Sequence, residues 1–389
     1  MNQSLTIKFK EVANVFNGKT PSTADQRKSG FPVLKIKDVD DEGNFSGTFD
    51  SFVDDSFALG FRDKCIQDGD VLILNAAHSA DYVGSKIFFG SGSAIGALAT
   101  GEWMIVRADS RKIVPRVLYF FLLSDRGRAH IKSLVRGIHL YPSDVETVQV
   151  PDLAFSEQEQ VVRILDEADQ LRRLRAEAGR HTADLVPALF HEMFGNPPKT
   201  WPVAKFGDLG TLDRGRSKHR PRDEANLFGG PYPFIQTGDI ANSGGCVEAY
   251  TQTYSELGLS QSKLWPERTL CITIAANIAK CAVLSFPACF PDSVVGFIPN
   301  ELIIVEFAQS WLETLQTKLE DEAPQAAQKN INLQTLRNLE LRVPPVELQR
   351  TFAARVAEIR AMGAEQAASR RRLDDLFQSL LHRAFQGEL

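Results

Sequence analysis

Nowhere does the sequence hold a run approaching 18 apolar residues, so it offers no transmembrane helix. Its start, MNQSLTIKFKEV, lacks the apolar core of a signal peptide. Cysteine is scarce. Cys65, Cys246, Cys271, Cys281 and Cys289 are an odd number without CxxC spacing, which argues against a disulfide framework and for a reduced, cytoplasmic protein. Basic charge is not in excess either: 44 Lys and Arg face 49 Asp and Glu, a formal net charge of −5. That excludes a free-standing basic DNA-coating protein. If nucleic acid is bound, the positive charge is local or a partner supplies part of it. Low-complexity composition is absent too. With 43% hydrophobic and 24% charged residues, a chain of 389 residues reads as two or three globular domains.

Catalytic constellations are missing as well. HEMFG at 191–195 lacks the second histidine of a zinc-protease helix. GSGSAIG at 90–96 carries its last glycine one position late for a dinucleotide loop, and no GxxxxGK[ST] is present. NPPK at 196–199 resembles the Asn-Pro-Pro-aromatic motif of amino-methyltransferases, but Lys199 replaces the aromatic and no glycine-rich cofactor loop precedes it. It reads as a linker. Cys281 and Cys289 lie among apolar residues with no histidine nearby, as buried thiols do. No metal ligand set is assigned.

What the chain does have is an internal repeat. KFKEV at 8–12 recurs as KFGDL at 205–209, and at the same offset Gly18 falls on Gly215. FPVLKIKDV at 31–39 resembles YPFIQTGDI at 232–240. HLYPSDVETVQVP at 139–151 lies over NLQTLRNLELRVP at 332–344. DLVPALFHEMF at 184–194 lies over DLFQSLLHRAF at 375–385. Five weak matches in unbroken order indicate duplication.

Each copy opens with a mixed α/β domain, in which apolar runs such as DVLIL (70–74) and TLCITI (269–274) alternate with turn residues. Each closes with a long helix. Val161, Ile164, Ala168, Leu171, Leu185 and Leu189 step along the first by threes and fours; Phe352, Val356, Ile359, Leu373, Phe377 and Leu380 do so along the second. Ser156 with Glu159 fits a capping box, and Pro187 implies a kink or restart. Helices of about 34 residues, roughly 50 Å, overshoot a small domain. The expectation is that they pair as an antiparallel coiled coil. The fold class is α+β with a pseudo-two-fold repeat. The domains are 1–155, a central helical region 156–196, a second domain 197–343, and a C-terminal helical region 344–389.

Positive charge collects in loops after the repeated glycine. The denser cluster holds Arg214, Arg216, Lys218, His219, Arg220 and Arg222; its counterpart holds Lys19, Thr20, Arg27 and Lys28. Such loops suit phosphate contacts, and Arg can also read guanine edges. Lesser candidates lie at 75–86 (His78, Tyr82, Lys86), at 275–280 (Asn277, Lys280) and at 323–332 (Gln325, Gln328, Lys329, Asn330). Amide side chains pair with adenine, though they also cap helices.

The two-copy plan, KNINLQTLRNLELRVPP leading into a long helix, the mid-chain HEMFGNPPKTWPVAKFGDLG and the terminus LFQSLLHRAFQGEL together resemble the specificity (S) subunit of type I restriction–modification enzymes. The likeness runs along essentially the whole chain. It implies two target-recognition domains, each reading one half of a split DNA site with a degenerate spacer. It also implies helical regions that dock two methyltransferase (M) subunits, with restriction motor–nuclease (R) subunits completing the enzyme. The chain itself would be non-catalytic, with S-adenosylmethionine, ATP and Mg held by its partners. The alternative is a non-catalytic scaffold pairing two proteins through the coiled coil.

Overall fold

A computed structural model describes residues 6–218, 221, 223–275, 278–322 and 331–389. The chain divides into two compact units. One comprises 1–176 with 368–389, the other 177–367.

In the first unit, four antiparallel strands form a sheet in the order Ala13–Asn17, Trp103–Ala108, Val71–Leu74, Ile87–Phe89. Val71–Leu74 is buried along its whole length, which its unbroken apolar run requires. A smaller sheet joins Gln26–Arg27, Phe52–Val53, Phe31–Leu34 and Leu98–Ala99, the last pair parallel. A two-stranded ribbon, Thr6–Lys8 with Gln149–Pro151, ties the start of the domain to its end.

The second unit repeats the plan. Gly210–Arg214, Val294–Pro299, Leu270–Thr273 and Cys281–Leu284 take the same order, with Cys246–Val247 added at the edge. Its small sheet again holds a parallel pair, Phe234 opposite Cys289, and its ribbon is Val203–Lys205 with Glu340–Arg342.

The hydrogen bonds fix the correspondence residue by residue. The Phe9 N–H donates to Val148 O, and the Phe206 N–H to Leu339 O. The Leu140 N–H donates to Asn75 O, and the Ile331 N–H to Ile274 O. Over this segment the register is therefore two residues away from the one that the letters of 139–151 and 332–344 suggested.

Buried glutamines repeat as well. Gln158 accepts the Val114 N–H at 2.8 Å and donates to Leu153 O; Gln349 accepts the Ile304 N–H at 2.8 Å and donates to Pro344 O. Each ties the first turns of a long helix to its own domain.

The long helices are Phe155–Phe194 and Val346–Ala384, 40 and 39 residues. At 1.5 Å per residue each is roughly 60 Å long. The first starts one residue before Ser156. Glu157, not Glu159, closes its N-terminus by accepting the Ala154 N–H at 2.9 Å. It passes through Pro187 without restarting.

The two helices pair antiparallel. In the first unit Val161, Leu165 and Ala168 share a core with Phe377, Leu381 and Ala384, and the Arg172 guanidinium lies over the Phe377 ring, 4.6 Å from its centre. In the second, Phe190 and Phe194 meet Phe352 at ring separations of 5.7 and 5.4 Å, and the Thr182 hydroxyl donates to Gln366 at 2.9 Å.

The seam differs from the expected stripe. Val161, Ala168, Phe352, Val356 and Phe377 are buried in it. Ile164, Leu189, Ile359, Leu373 and Leu380 are half-buried. Leu171 and Leu185 are 54% and 41% exposed and lie outside it. At about 100° per residue, Leu185 sits roughly 120° round the helix from Val161. Leu165, Arg172 and Ala176 stay within about 60° of it and occupy the seam instead.

Candidate nucleic-acid interface

Both units build the same backbone clamp behind their basic loop. In the first, the Gly18 N–H donates to Trp103 O and the Lys19 N–H to Ala99 O, each at 2.8 Å. In the second, the Gly215 N–H donates to Val294 O at 2.9 Å and the Arg216 N–H to Phe290 O at 3.0 Å. The repeated glycine is required by this close approach. A Cβ on Gly18 would stand 2.3 Å from Thr100 O, and one on Gly215 2.2 Å from Phe290 O. The clamp thus makes Lys19 equivalent to Arg216, and fixes where the loop departs.

A second repeated device positions the following loop. The Lys35 N–H donates to the Asp38 carboxylate at 2.7 Å, and the Gln236 N–H to Asp239 at 2.8 Å. Burial pushes the Asp38 carboxyl above its ordinary pKa, while the Lys35 N–H bond works the other way.

In the first unit these loops converge on two adjoining clefts. One, of about 390 Å³, is lined by Thr20, Gln26, Lys35, Lys37, Thr100 and Glu102 among others. The other, of about 660 Å³, is lined by Ile36, Lys37, Ala76, His78, Tyr82, Lys86 and Glu102 among others. Glu102 borders both. The loops at 19–28 and 75–86, far apart in sequence, therefore meet on one face.

The individual side chains divide. Thr20 donates its hydroxyl to Glu102 at 3.2 Å, and His78 is exposed against Tyr82 with ring centres 5.6 Å apart. Lys28 is exposed, and the Lys19 ammonium lies 4.9 Å from the centre of the Phe61 ring. Three residues are committed elsewhere. Arg27 makes a two-pronged pair with Asp54. Tyr82 donates to Asp41 at 3.2 Å. Lys86 is buried, donates to Val39 O at 2.6 Å, and holds Asp41 at 3.3 Å. Lys86 fixes the loop at 36–41 rather than facing outward.

Sequence reasoning passed over Lys35, Lys37 and Glu102. The lysines are single charges inside a strand-like word, not a run. The signal was present in the repeat: LKIKDV and IQTGDI share the aspartate but differ at the lysines. Lys37 pairs with Asp50, a hydrogen bond that raises the lysine pKa and lowers that of the carboxyl.

In the second unit Arg214, Arg216 and Lys218 are exposed. The loop is held by the Lys218 N–H donating to Gln261 at 2.6 Å and by the Ser262 hydroxyl donating to Arg216 O at 2.8 Å. Lys280 reaches Gln316 at 3.4 Å. His219, Arg220, Arg222, Asn277, Gln325, Gln328, Lys329 and Asn330 lie outside the described residues. Among the described residues no group of three or more His, Cys, Asp or Glu could hold a metal ion. No helix among them is long and apolar enough to cross a membrane.

Residues 198–361 match the family described as the type I restriction modification DNA specificity domain. The chain is 25% identical over 197 residues to the HindI type I restriction enzyme specificity subunit of Haemophilus influenzae, a match that spans 49% of this chain and 42% of that one. It is 20% identical over 372 residues to a protein named as the MjaX type I restriction enzyme specificity subunit of Methanocaldococcus jannaschii, spanning 90% of this chain and 85% of that one. Its fold is similar to the crystal structure of a type I restriction–modification S subunit from M. genitalium, with 13% identity, a TM-score of 0.60, and coverage of 99% and 97% of the two chains. With a duplicated domain, a repeated clamp and paired helices in place, residues 198–361 match the type I restriction modification DNA specificity domain, and the chain as a whole is similar to type I restriction enzyme specificity subunits.

Proposed function

We propose that this chain is the DNA-reading subunit of a type I restriction–modification complex. Each domain, 1–155 and 197–343, reads one half of a split site, and the bases between are spanned without being read. The carrying observation is the repeated clamp at Gly18 and Gly215. One backbone frame presents Lys19, Lys35 and Lys37 in the first unit, and Arg216, Gln236 and Gly238 at the matching places in the second. A shared frame with different side chains is what two readers of different words need.

The helical regions 156–196 and 344–389 dock methyltransferase subunits, and motor–nuclease subunits join the assembly. Leu171 and Leu174, 54% and 53% exposed on the first long helix, and Leu376, 49% exposed on the second, support a partner on the first unit's helices. The chain performs no chemistry itself: S-adenosylmethionine, ATP and Mg act in the partner subunits. The net charge of −5 fits a reader whose partners also clamp the DNA.

Methylome sequencing of cells carrying this chain with its cognate methyltransferase tests the reading. The expected result is one motif of two short words separated by a fixed gap of unread bases. Methylation by the purified chain alone, or DNA footprints that ignore sequence, would overturn it.

A further inference from the structure

We propose that Glu102 is a base-reading residue of the first unit, accepting a hydrogen bond from an exocyclic amine, cytosine N4 or adenine N6, in the half-site that this unit contacts. The proposal rests on the DNA-reading function above. Glu102 borders both clefts on the face where the loops at 19–28, 35–38 and 75–86 meet. Its backbone is fixed. Glu102 O accepts the Asn75 N–H at 2.8 Å, and the buried Asn75 side chain donates to Asn17 and to Gly101 O.

The carboxylate is lightly engaged. Among the described residues it forms no ion pair, and it takes one side-chain hydrogen bond, from Thr20 at 3.2 Å. Beside it, Thr100, a lining residue of the first cleft, is 3% exposed, and its hydroxyl has no hydrogen-bond partner among the described residues. The carboxylate keeps acceptor capacity unfilled in this wall, with the buried hydroxyl of Thr100 behind it.

Charge selects what completes it. A carboxylate repels phosphate, so on a surface rimmed by Lys35 and Lys37 its useful partner is a donor on a base edge. In the major groove those donors are the amines of cytosine and adenine. The second unit lacks the feature. The clamp and the equivalent bonds from Asn75 N–H to Glu102 O and from Ile274 N–H to Ser293 O place Ser293 at the position of Glu102 and Pro291 at that of Thr100. At this position the carboxylate is thus a property of the first unit; the second unit carries its nearest carboxylate, Asp292, one residue earlier in the chain.

The test is the methylome of the full chain with its cognate methyltransferase, compared for the parent, Glu102→Gln, Glu102→Ala and Ser293→Ala. Discrimination at a single base pair of one word is expected to fall about tenfold in Glu102→Ala, the scale of one good base contact. The other word should keep its preference. Glu102→Gln retains the shape and is expected to move that base pair toward adenine. The parent base names the donor: a C·G pair identifies cytosine N4, an A·T pair adenine N6. Ser293→Ala leaves the Glu102-dependent position alone. Melting temperatures equal to the parent's show that the variants fold; if Glu102→Gln melts early, Glu102→Asp, which keeps the charge but draws it back, must still loosen the same base pair. An unchanged motif in Glu102→Ala, or a loss spread over both words, overturns the proposal while leaving the two-word reading in place. A parent without a two-word motif overturns that reading and this inference with it.

Discussion

At the start of the central buried strand, the first unit places Asp70 and the second Thr269. Asp70 is 1% exposed and accepts two hydrogen bonds from Arg107, each at 2.8 Å, while Arg107 also caps Cys65 O at 2.9 Å. Thr269 is fully buried and donates its hydroxyl to Pro266 O, and the residue matching Arg107 is Ile298. One unit locks this corner with a charge pair, the other with a neutral turn. The same contrast appears around the repeated clamp, with lysines and Glu102 in one and Gln236 and Ser293 in the other. Duplication preserved the backbone clamp and left the side chains around it to diverge.

The largest expected effect breaks the contrast directly. Asp70→Ala strands a guanidinium that is mostly buried, and removing one partner of such a pair costs about 3–5 kcal/mol. Arg107 keeps some access to water, so the lower figure is expected. Thr269→Val removes one neutral hydrogen bond and should cost about 1 kcal/mol. Denaturant unfolding of the full chain measures both. Equal losses would mean that the charge pair adds nothing to the first unit. The next effect tests likeness instead. Gln158→Leu leaves an N–H and one carbonyl unpaired, Gln349→Leu an N–H and the two carbonyls of Leu302 and Pro344, and each is expected to cost about 2 kcal/mol. A large loss in only one unit would show that the two glutamines are not equivalent anchors.

The duplication was legible because its markers are forced by close packing. Gly18 and Gly215 each leave no room for a Cβ, and a substitution there would break the clamp. The two long helices were legible from their length and spacing. Their seam was not, because polar residues sit in it. Arg172 covers Phe377, Thr182 bonds to Gln366, and Asp169 is buried between Arg172 and Arg173, while Leu171, Leu174 and Leu185 face outward. An apolar count picks the wrong face when guanidiniums and hydroxyls fill the contact. Charge runs stand out in a sequence, so the loops after the glycines were legible as exposed basic segments. Lys86 was misjudged because burial of a lysine cannot be seen without the carbonyls of Ile36 and Val39 that receive it.

A smaller effect compares the two basic loops. Lys35→Ala with Lys37→Ala, and separately Arg216→Ala with Lys218→Ala, are expected to flatten the salt dependence of DNA binding by the complex. Each lost phosphate contact lowers the slope of log affinity against log salt by about 0.9. Lys37 must leave Asp50 to reach a phosphate, so the first pair should lose less than the second. Binding titrations across salt concentrations read the two slopes. Unchanged slopes for both pairs would assign these loops to solvent.

The smallest effect concerns one backbone position where the units solve the same geometry differently. Gly69 (φ 84°) and Arg268 (φ 66°) both occupy the left-handed region just before the buried strand, and both donate their N–H across to the neighbouring strand's end, to Gly90 O and Leu284 O. Glycine is at ease there; an arginine is strained by roughly 1–2 kcal/mol. Arg268 also donates to Glu306 at 2.7 Å, and Glu306 is buried, with its second oxygen lacking a hydrogen bond among the described residues. The ion pair therefore offsets the strain. Arg268→Gly relieves the backbone but leaves the Glu306 charge alone, and glycine's freedom in the unfolded chain takes back about 0.4–1 kcal/mol. The net result is expected to be a loss of about 1 kcal/mol. In a Glu306→Gln background the stranded charge is gone, and Arg268→Gly should become neutral or stabilise by less than about 1 kcal/mol. A double-mutant cycle from denaturant midpoints isolates the coupling. An equal loss in both backgrounds would show that Glu306 does not hold Arg268 in its left-handed conformation, and that the second unit tolerates the strain by other contacts.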